Sequence, residues 1–396
     1  MPDKINLHPV IANATLILIG ASVRAMAFSC IRAGYKPWCI DLYADADLQR
    51  VCPTKKITGL FPDEISEIIK VAPQSPILYT GGLENHPNFI DSLAKNFTVF
   101  GMTGKTLSSL RNCKSIFELL QTNHIATPAT LDSISEIKTN TRYLIKPKNK
   151  SGGLGIRWLN SNFPPNTIPK DHYLQEYIEG ENRSAIFCFN SKGFELLGVS
   201  KLWSGYKASH ASDFLYSGNI GPLYPSACEL QHLKTIGEAL FKNFQPLGLL
   251  GLDYILKEDQ VYALEINPRY TASVEVLELA SQKNLISQHI QAFTGEIILP
   301  KLEQSTTQVV GKIIYYAPEK LMIPKHTPWS ECFQNEQLFP TFADIPPLGT
   351  SIEKGSPVIT LLAKGISHLK VKNELKTLIN ELDRFFAAGK AANKLF

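Results

Sequence analysis

An unbroken run of strand length, Ala14-Thr-Leu-Ile-Leu-Ile-Gly-Ala21, constrains the fold most. It is too short to cross a bilayer, which takes about 20 apolar residues. It has no basic leader, so it reads as a strand and not as a signal peptide. Without polar alternation, that strand must be buried on both faces, the condition of a parallel sheet covered by helices. The next residues fit a β-α-β unit. Ser22 is placed to cap a helix over residues 23–33, and Gly34 to stop it. Residues 37–42 read as a second strand carrying Asp41, and a further strand ends at Tyr79, just before the turn-rich loop 81–87. Loops at the carboxyl ends of such strands line the ligand crevice. The first turn, Gly20-Ala-Ser-Val-Arg-Ala25, has one glycine where a pyrophosphate-binding turn needs three, which argues against a dinucleotide site.

At 396 residues the chain has room for about two to three domains. Lys plus Arg is 40 and Asp plus Glu 36, a net charge of +4. That excess is too thin for a nucleic-acid partner. No apolar stretch is long enough to span a membrane. The seven cysteines are odd in number and form no C-x-x-C pair. They read as reduced thiols in a cytoplasmic protein, with neither a disulfide framework nor a structural zinc.

Downstream, helices are expected over residues 114–121, 229–244 and 372–388. Strands are expected over 143–146, 173–178, 185–189 and 196–202, and a β-hairpin over 249–256 and 261–267. In that hairpin Glu265 and Asn267 share a face, because strand side chains alternate. Asp253 lies on the partner strand. A three-residue loop, 257–259, would pair Leu256 with Gln260 and Asp253 with Ala263. Glu265 would then be a diagonal neighbour of Asp253, about 7–8 Å away on the same face. A two-residue loop would send the two acids to opposite faces. Carboxylates so close repel unless a cation lies between them, and hard oxygen ligands suit Mg²⁺. An ordinary hairpin with one solvated polar face is the plain alternative, but Leu264, Ile266 and Pro268 make this a short polar stripe in an apolar pair.

Two further stretches bear on chemistry. Lys146-Pro-Lys148-Asn-Lys150-Ser151-Gly152-Gly153-Leu-Gly155 is a strand end followed by a basic, glycine-rich loop, able to wrap phosphate oxygens with backbone N–H groups. Its spacing is not that of a P-loop. Gln175-Glu176-Tyr177-Ile178-Glu-Gly-Glu181 is a strand running into an acidic turn, whose backbone suits an adenine edge and whose acid suits ribose hydroxyls. Each alone is equally an ordinary turn.

Taken in order, these stretches resemble the ATP-grasp superfamily, which has two phosphate-binding lysines, a glycine-rich lid, a hinge strand and a closing D…E-x-N-P-R hairpin. The resemblance implies an α/β and α+β fold: a Rossmann-like pre-ATP-grasp domain (1–112), an ATP-grasp domain (113–300, lid about 125–175), and a small β-rich segment (301–396) similar to the end of biotin carboxylases. It implies ATP and Mg²⁺, with Mn²⁺ as a substitute. Lys114, Lys146, Lys148, Ser151, Gly152, Gly153 and Gly155 would bind phosphates; Gln175, Glu176, Tyr177, Ile178 and Glu181 the nucleoside; Asp253, Glu265 and Asn267 the metal. Arg269 and Lys146 would act on the reacting groups, and Arg24, Glu84, Asn85 and His210 are candidate substrate contacts. The implied reaction joins a carboxylate to an amine through an acyl-phosphate, and a homodimer is compatible with the family. A kinase, a biotin-independent carboxylase and a non-catalytic nucleotide-binding scaffold are the alternatives. A narrower resemblance rests on Tyr79-Thr-Gly-Gly-Leu-Glu-Asn-His-Pro87, Phe214-Leu-Tyr-Ser-Gly-Asn-Ile-Gly-Pro222 and Asn267-Pro-Arg-Tyr-Thr-Ala-Ser-Val-Glu275. It is to an ATP-grasp subgroup encoded with tetrahydromethanopterin and methanofuran one-carbon genes.

Overall fold

The structure is a computed structural model that describes residues 13–159, 168–295, 308–330 and 339–393. Cys332 and the 300/301 boundary lie outside the described residues. The first sheet is parallel, with β1 (Thr15–Gly20) and β2 (Lys36–Asp41) flanked by β3 (Thr54–Lys56) and β4 (Ile77–Tyr79) in the order β3-β2-β1-β4. Leu16 and Leu18 of β1 enter one core with Val23, Met26 and Cys30, while Ile17 and Ile19 enter a second with Ile57, Ile65 and Leu83. Burial on both faces explains the absence of polar alternation. Helix α1 (Arg24–Arg32) begins at an N-cap, Val23, that makes no side-chain bond, so Ser22 is not the cap. Gly34 follows the helix at φ +84°. The short strand β3 was not expected; two of its three residues are exposed lysines.

Helices α2 (Ala46–Val51), α3 (Ile65–Ile68), α4 (Pro87–Ala94) and α5 (Gly104–Arg111) complete this part. Asn112 then caps α6 (Cys113–Thr122) by accepting from the Ser115 N–H at 3.2 Å. A small antiparallel sheet follows, made of β5 (Thr130–Leu131), β6 (Tyr143–Pro147), β7 (Arg157–Trp158) and β8 (His172–Glu176), with its own core of Tyr143, Ile145 and Leu174.

The central sheet has eight strands. They are β9 (Glu181–Asn190), β10 (Gly193–Ser204), β11 (Tyr216–Leu223), β12 (Gly248–Lys257), β13 (Gln260–Asn267), β14 (Val309–Tyr316), β16 (Phe342–Ala343) and β18 (Pro357–Gly365), in the order β13-β12-β9-β10-β11-β14-β18-β16. Phe187, Phe189, Leu250 and Leu252 pack with α7 (Ala227–Phe244) on one face. Ile186, Cys188 and Leu249 pack with α8 (Ala272–Ser281) and α9 (Leu285–Thr294) on the other. The C-terminal segment is β-rich and continues this sheet. Outside the sheet it adds the pair β15 (Leu321–Met322) and β17 (Ser351–Ile352), and it ends in α10 (His368–Asn393), which covers Ile313, Tyr315 and Leu361 together with the buried Trp329. The six described cysteines are free. Among the described residues no helix is long and apolar enough to cross a membrane.

Candidate functional site

The hairpin β12–β13 brings the two acids together by a route that differs from the expected one. Lys257 pairs with Gln260 and Leu256 with Val261, so the loop is the two residues Glu258 and Asp259, both at positive φ (49° and 61°). These left-handed values are those of a tight hairpin turn whose twist matches the strands. On a regular ladder that loop would separate the acids. Instead the register shifts between Tyr254, opposite Ala263, and Asp253, opposite Glu265. One extra residue, Leu264, forms a β-bulge and reverses the parity. Asp253 and Glu265 thus stand directly opposite, closer than the diagonal relation expected.

Asn267 Nδ2 donates to Asp253 Oδ2 at 3.1 Å. Burial, and then the charge of Glu265, push the Asp253 carboxyl up to about 6, against the pull of Ser184, Arg269 and Lys146. A carboxyl penalised by a like charge and by lost water is one that a cation would stabilise. Among the described residues no three His, Cys, Asp or Glu side chains converge as a metal cage. Two carboxylates and an amide oxygen still fit Mg²⁺, which keeps waters and phosphate oxygens in its shell.

Beside the pair lies a pocket of about 550 Å³, walled by Glu265, the start of α6 and the lid loop. That volume suits a small-molecule ligand. Lys114, Lys146, Lys148, Lys150 and Gly153 all line it. Lys146 Nζ donates to Gln175 Oε1 at 3.0 Å, and Gln175 Nε2 is buried without a partner among the described residues. Such an orphaned donor beside a lysine-lined pocket is what an absent polar ligand leaves behind. The lid is stitched to its neighbours. The Gly152 carbonyl accepts from the Tyr216 N–H at 2.9 Å. A Cβ on Gly153, which sits at φ +80°, would lie 2.0 Å from the Phe214 carbonyl oxygen, so only glycine fits there. Gly155 also takes a positive φ, 78°.

Glu84 closes the pocket from the N-terminal part. It is fully buried, and its Oε1 accepts from Arg269 Nε (2.7 Å) and Ser151 Oγ (3.0 Å). Burial opposes its charge, yet Arg269 and Arg111 hold the Glu84 carboxyl below the ordinary range. Its Oε2 has no partner among the described residues. Asn85 Nδ2 donates to Ser151 Oγ at 3.2 Å. Sequence reasoning missed Arg111, whose Nη1 binds Glu265 Oε1 and whose Nη2 binds Asn85 Oδ1, both at 2.8 Å. Nothing in its spacing marks it; it reads as a basic residue in the last turn of a short helix.

Other expected residues lie elsewhere. Glu181 pairs with Lys201 and Arg183. Its register partner on β12 is Leu256, three positions from Asp253, and it faces a separate surface hollow beside Trp203 and Tyr206. Arg24 is sealed between Asp47 (2.9 Å) and Glu275 (2.6 Å). His210 binds Asp383 of α10 at 2.8 Å. The Glu176 N–H donates to the Ala129 carbonyl, and the Tyr177 ring packs at a tilt against Trp158, centroids 4.7 Å apart. Ile178 follows directly, between β8 and β9.

Residues 112–273 match the family described as the ATP-grasp domain. The chain is 24% identical to the uncharacterised protein MJ0776 of Methanocaldococcus jannaschii over 95% of this chain and 93% of that one. Its fold is similar to that of the L-amino acid ligase of Bacillus licheniformis (TM-score 0.68, 15% identity, 94% and 98% of the two chains). It is also similar to the biotin carboxylase domain of 2-oxoglutarate carboxylase from Hydrogenobacter thermophilus, solved with MgADP and bicarbonate (TM-score 0.65, 14% identity, 88% and 86%). With the paired acids, lysine-lined pocket and glycine lid in place, residues 112–273 are an ATP-grasp domain, and the chain has the fold of the ATP-grasp ligases.

Proposed function

We propose that this protein is an ATP- and Mg²⁺-dependent ligase that joins a carboxylate to an amine through an acyl-phosphate. The observation that carries this reading is the bulge that sets Asp253 opposite Glu265 at the edge of a pocket lined by four lysines. Asp253, Glu265 and Asn267 would hold Mg²⁺, which neutralises phosphate charge as a phosphoryl group moves. Lys114, Lys146 and Lys148 bind the phosphates. The loop with Ser151, Gly152, Gly153 and Gly155 closes over them and excludes water, which would hydrolyse an acyl-phosphate. Gln175, Glu176, Tyr177 and Ile178 would supply the hinge strand that meets the base. Arg269, set by Glu84, offers a planar fork to the substrate carboxylate. A carboxylate oxygen takes the γ-phosphoryl group and ADP leaves; the amine nitrogen then attacks the acyl carbon, loses a proton, and phosphate leaves. The MgADP complex of the carboxylase neighbour and the ligase activity named for the Bacillus neighbour support the reading. The narrower sequence resemblance extends it to the building of a one-carbon carrier cofactor.

The test is a panel of amino acids as carboxylates, with ATP, Mg²⁺ and hydroxylamine, which traps an acyl-phosphate as a hydroxamate. ADP release that depends on the carboxylate, with hydroxamate formed, is the expected result. A stable phosphorylated product with no need of an acceptor would instead make the protein a kinase.

A further inference from the structure

Beside the first sheet lies a pair of thiols that the nucleotide chemistry does not use. Cys39 is in β2, and its register partner on β3 is Thr54. Cys52 stands two residues before Thr54, at the end of α2, with an extended backbone (φ −157°, ψ 156°). Alternation along an extended chain sends residues 52 and 54 to one face. The Cys39 N–H sets the offset by donating to the Pro53 carbonyl at 2.9 Å. Both cysteine side chains thereby enter the same core, with Leu16, Leu18 and Val23. There the two sulfurs stand in contact, 3.5 Å apart.

The two thiols differ in access and in acidity. Cys39 is fully buried, whereas Cys52 is 8% exposed and lines a hollow of about 1310 Å³ walled by α1, α2 and Phe342 of β16. Contact with the Cys39 thiol holds the Cys52 thiol below its usual range against the cost of burial. The same contact, and then burial, push the Cys39 thiol up. Reactivity follows thiolate character and exposure. Cys52 is therefore the sulfur that meets an oxidant, and Cys39 the one that answers from behind. Cys188 shows the contrast: it is buried against the Gln288 carbonyl, 3.7 Å from its sulfur, and burial pushes its thiol up to about 12. Among the described residues no three His, Cys, Asp or Glu side chains converge on an ion, so the pair is not a metal cage.

We propose that Cys39 and Cys52 form a reversible oxidation site that takes a small hydroperoxide and closes into a disulfide. With hydrogen peroxide, the Cys52 thiolate attacks one oxygen and the O–O bond breaks. Cys52 becomes a sulfenic acid and the other oxygen leaves as hydroxide. The Cys39 sulfur then attacks the Cys52 sulfur, the S–O bond breaks, and the oxygen leaves as water with the Cys39 proton. Each sulfur loses one electron, and each peroxide oxygen gains one. A dithiol restores the pair by exchange. A peroxide is little larger than water, which suits a thiol so nearly covered better than a bulky disulfide does. The site shares no lining residue with the nucleotide pocket, so it goes beyond the ligase reading and does not depend on it.

The probe is hydrogen peroxide, added to the full folded chain and followed by peptide mass spectrometry. The expected product is a peptide pair joined through Cys39 and Cys52, lighter by two hydrogens and released by dithiothreitol. In Cys39→Ser nothing resolves the first step, so Cys52 should run on to a sulfinic acid that dithiothreitol does not reverse. In Cys52→Ser, Cys39 should stay a thiol. Brief alkylation of untreated wild type with iodoacetamide should label Cys52 about tenfold or more faster than Cys39, which fixes the two roles without any variant. The proposal is overturned if the folded chain forms no bond between Cys39 and Cys52, if dithiothreitol still restores Cys52 in Cys39→Ser, if Cys39 oxidises in Cys52→Ser, or if iodoacetamide reaches Cys39 first. No step uses a nucleotide, so these outcomes decide the proposal whatever becomes of the ligase reading.

Discussion

Asp253 is held where an ionised acid is costly, and that cost has a pH window. Its folded pKa of about 6 lies above the 3.8 of a free carboxyl. Between these values the folded chain holds a proton that the unfolded chain has lost, so stability falls as pH rises through the window and stays lowered above it. Asp253→Asn should therefore stabilise the ligand-free protein by about 3 kcal/mol at pH 8 and by little at pH 4. Urea unfolding at the two pH values checks this; equal effects would mean that Asp253 is not strained by burial. The same variant should lose ATP turnover. The lid glycines give a second residue-scale contrast. Gly152 and Gly153 both have positive φ, and an added Cβ meets nothing within 4 Å at Gly152 but the Phe214 carbonyl at Gly153. Gly152→Ala should cost about 1–2 kcal/mol and leave a working lid. Gly153→Ala should raise the KM for ATP far more, as read in steady-state kinetics.

The hairpin shows how far sequence carries at the level of an element. The acids, their shared face and the need for one odd residue were legible, because alternation is a strict period. The place of that residue was not. An odd loop and an even loop with a bulge restore the same parity, and Leu264 looks like any other strand residue. Deleting Leu264 should turn the bulge into a regular ladder that still sets Asp253 opposite Glu265, so nucleotide binding should survive and circular dichroism should show the folded sheet. If Leu264 deletion abolished ATP binding in a sheet that still folds, the face-sharing argument would fail. In the loop itself, Glu258 and Asp259 occupy left-handed conformations. Replacing them by Asn-Gly should stabilise the protein by about 0.5–1 kcal/mol, measured by thermal melting, because that pair adopts a type I′ turn with less strain. Pair contacts across elements were the least legible. Glu181 had a plausible acid's place in the sequence, but Lys201 and Arg183 on the same sheet claim it. Arg111 reaches Glu265 across 154 residues with no local signature.

Across the whole molecule, three parts meet on one buried carboxylate. Glu84 comes from the loop after β4, Arg269 from the end of the central hairpin, and Ser151 from the lid. The arrangement makes lid position depend on the N-terminal sheet, because Glu84 and Asn85 both bind Ser151. The same turn also sets the Arg269 guanidinium proposed to meet the substrate and, through Asn85 and Arg111, steadies Glu265, the proposed metal ligand. A polar network with charges on both sides transmits the loss of one member to the rest. Ser151→Ala removes only the lid's share: it should leave Arg269 held by Glu84, raise the KM for ATP a few-fold and spare kcat. Glu84→Gln removes the charge that Arg269 and Arg111 share. It should lower kcat by about tenfold or more, as for a lost buried charge-assisted bond, and weaken protection of the lid as well. Hydrogen exchange over residues 147–158, with and without a non-hydrolysable ATP analogue and Mg²⁺, separates the two effects. Protection gained on nucleotide binding in wild type should be reduced in both variants. If Glu84→Gln closed its lid as wild type does and turned over normally, the buried carboxylate would be a packing element only, and the coupling of the N-terminal sheet to the lid would have to run through other contacts.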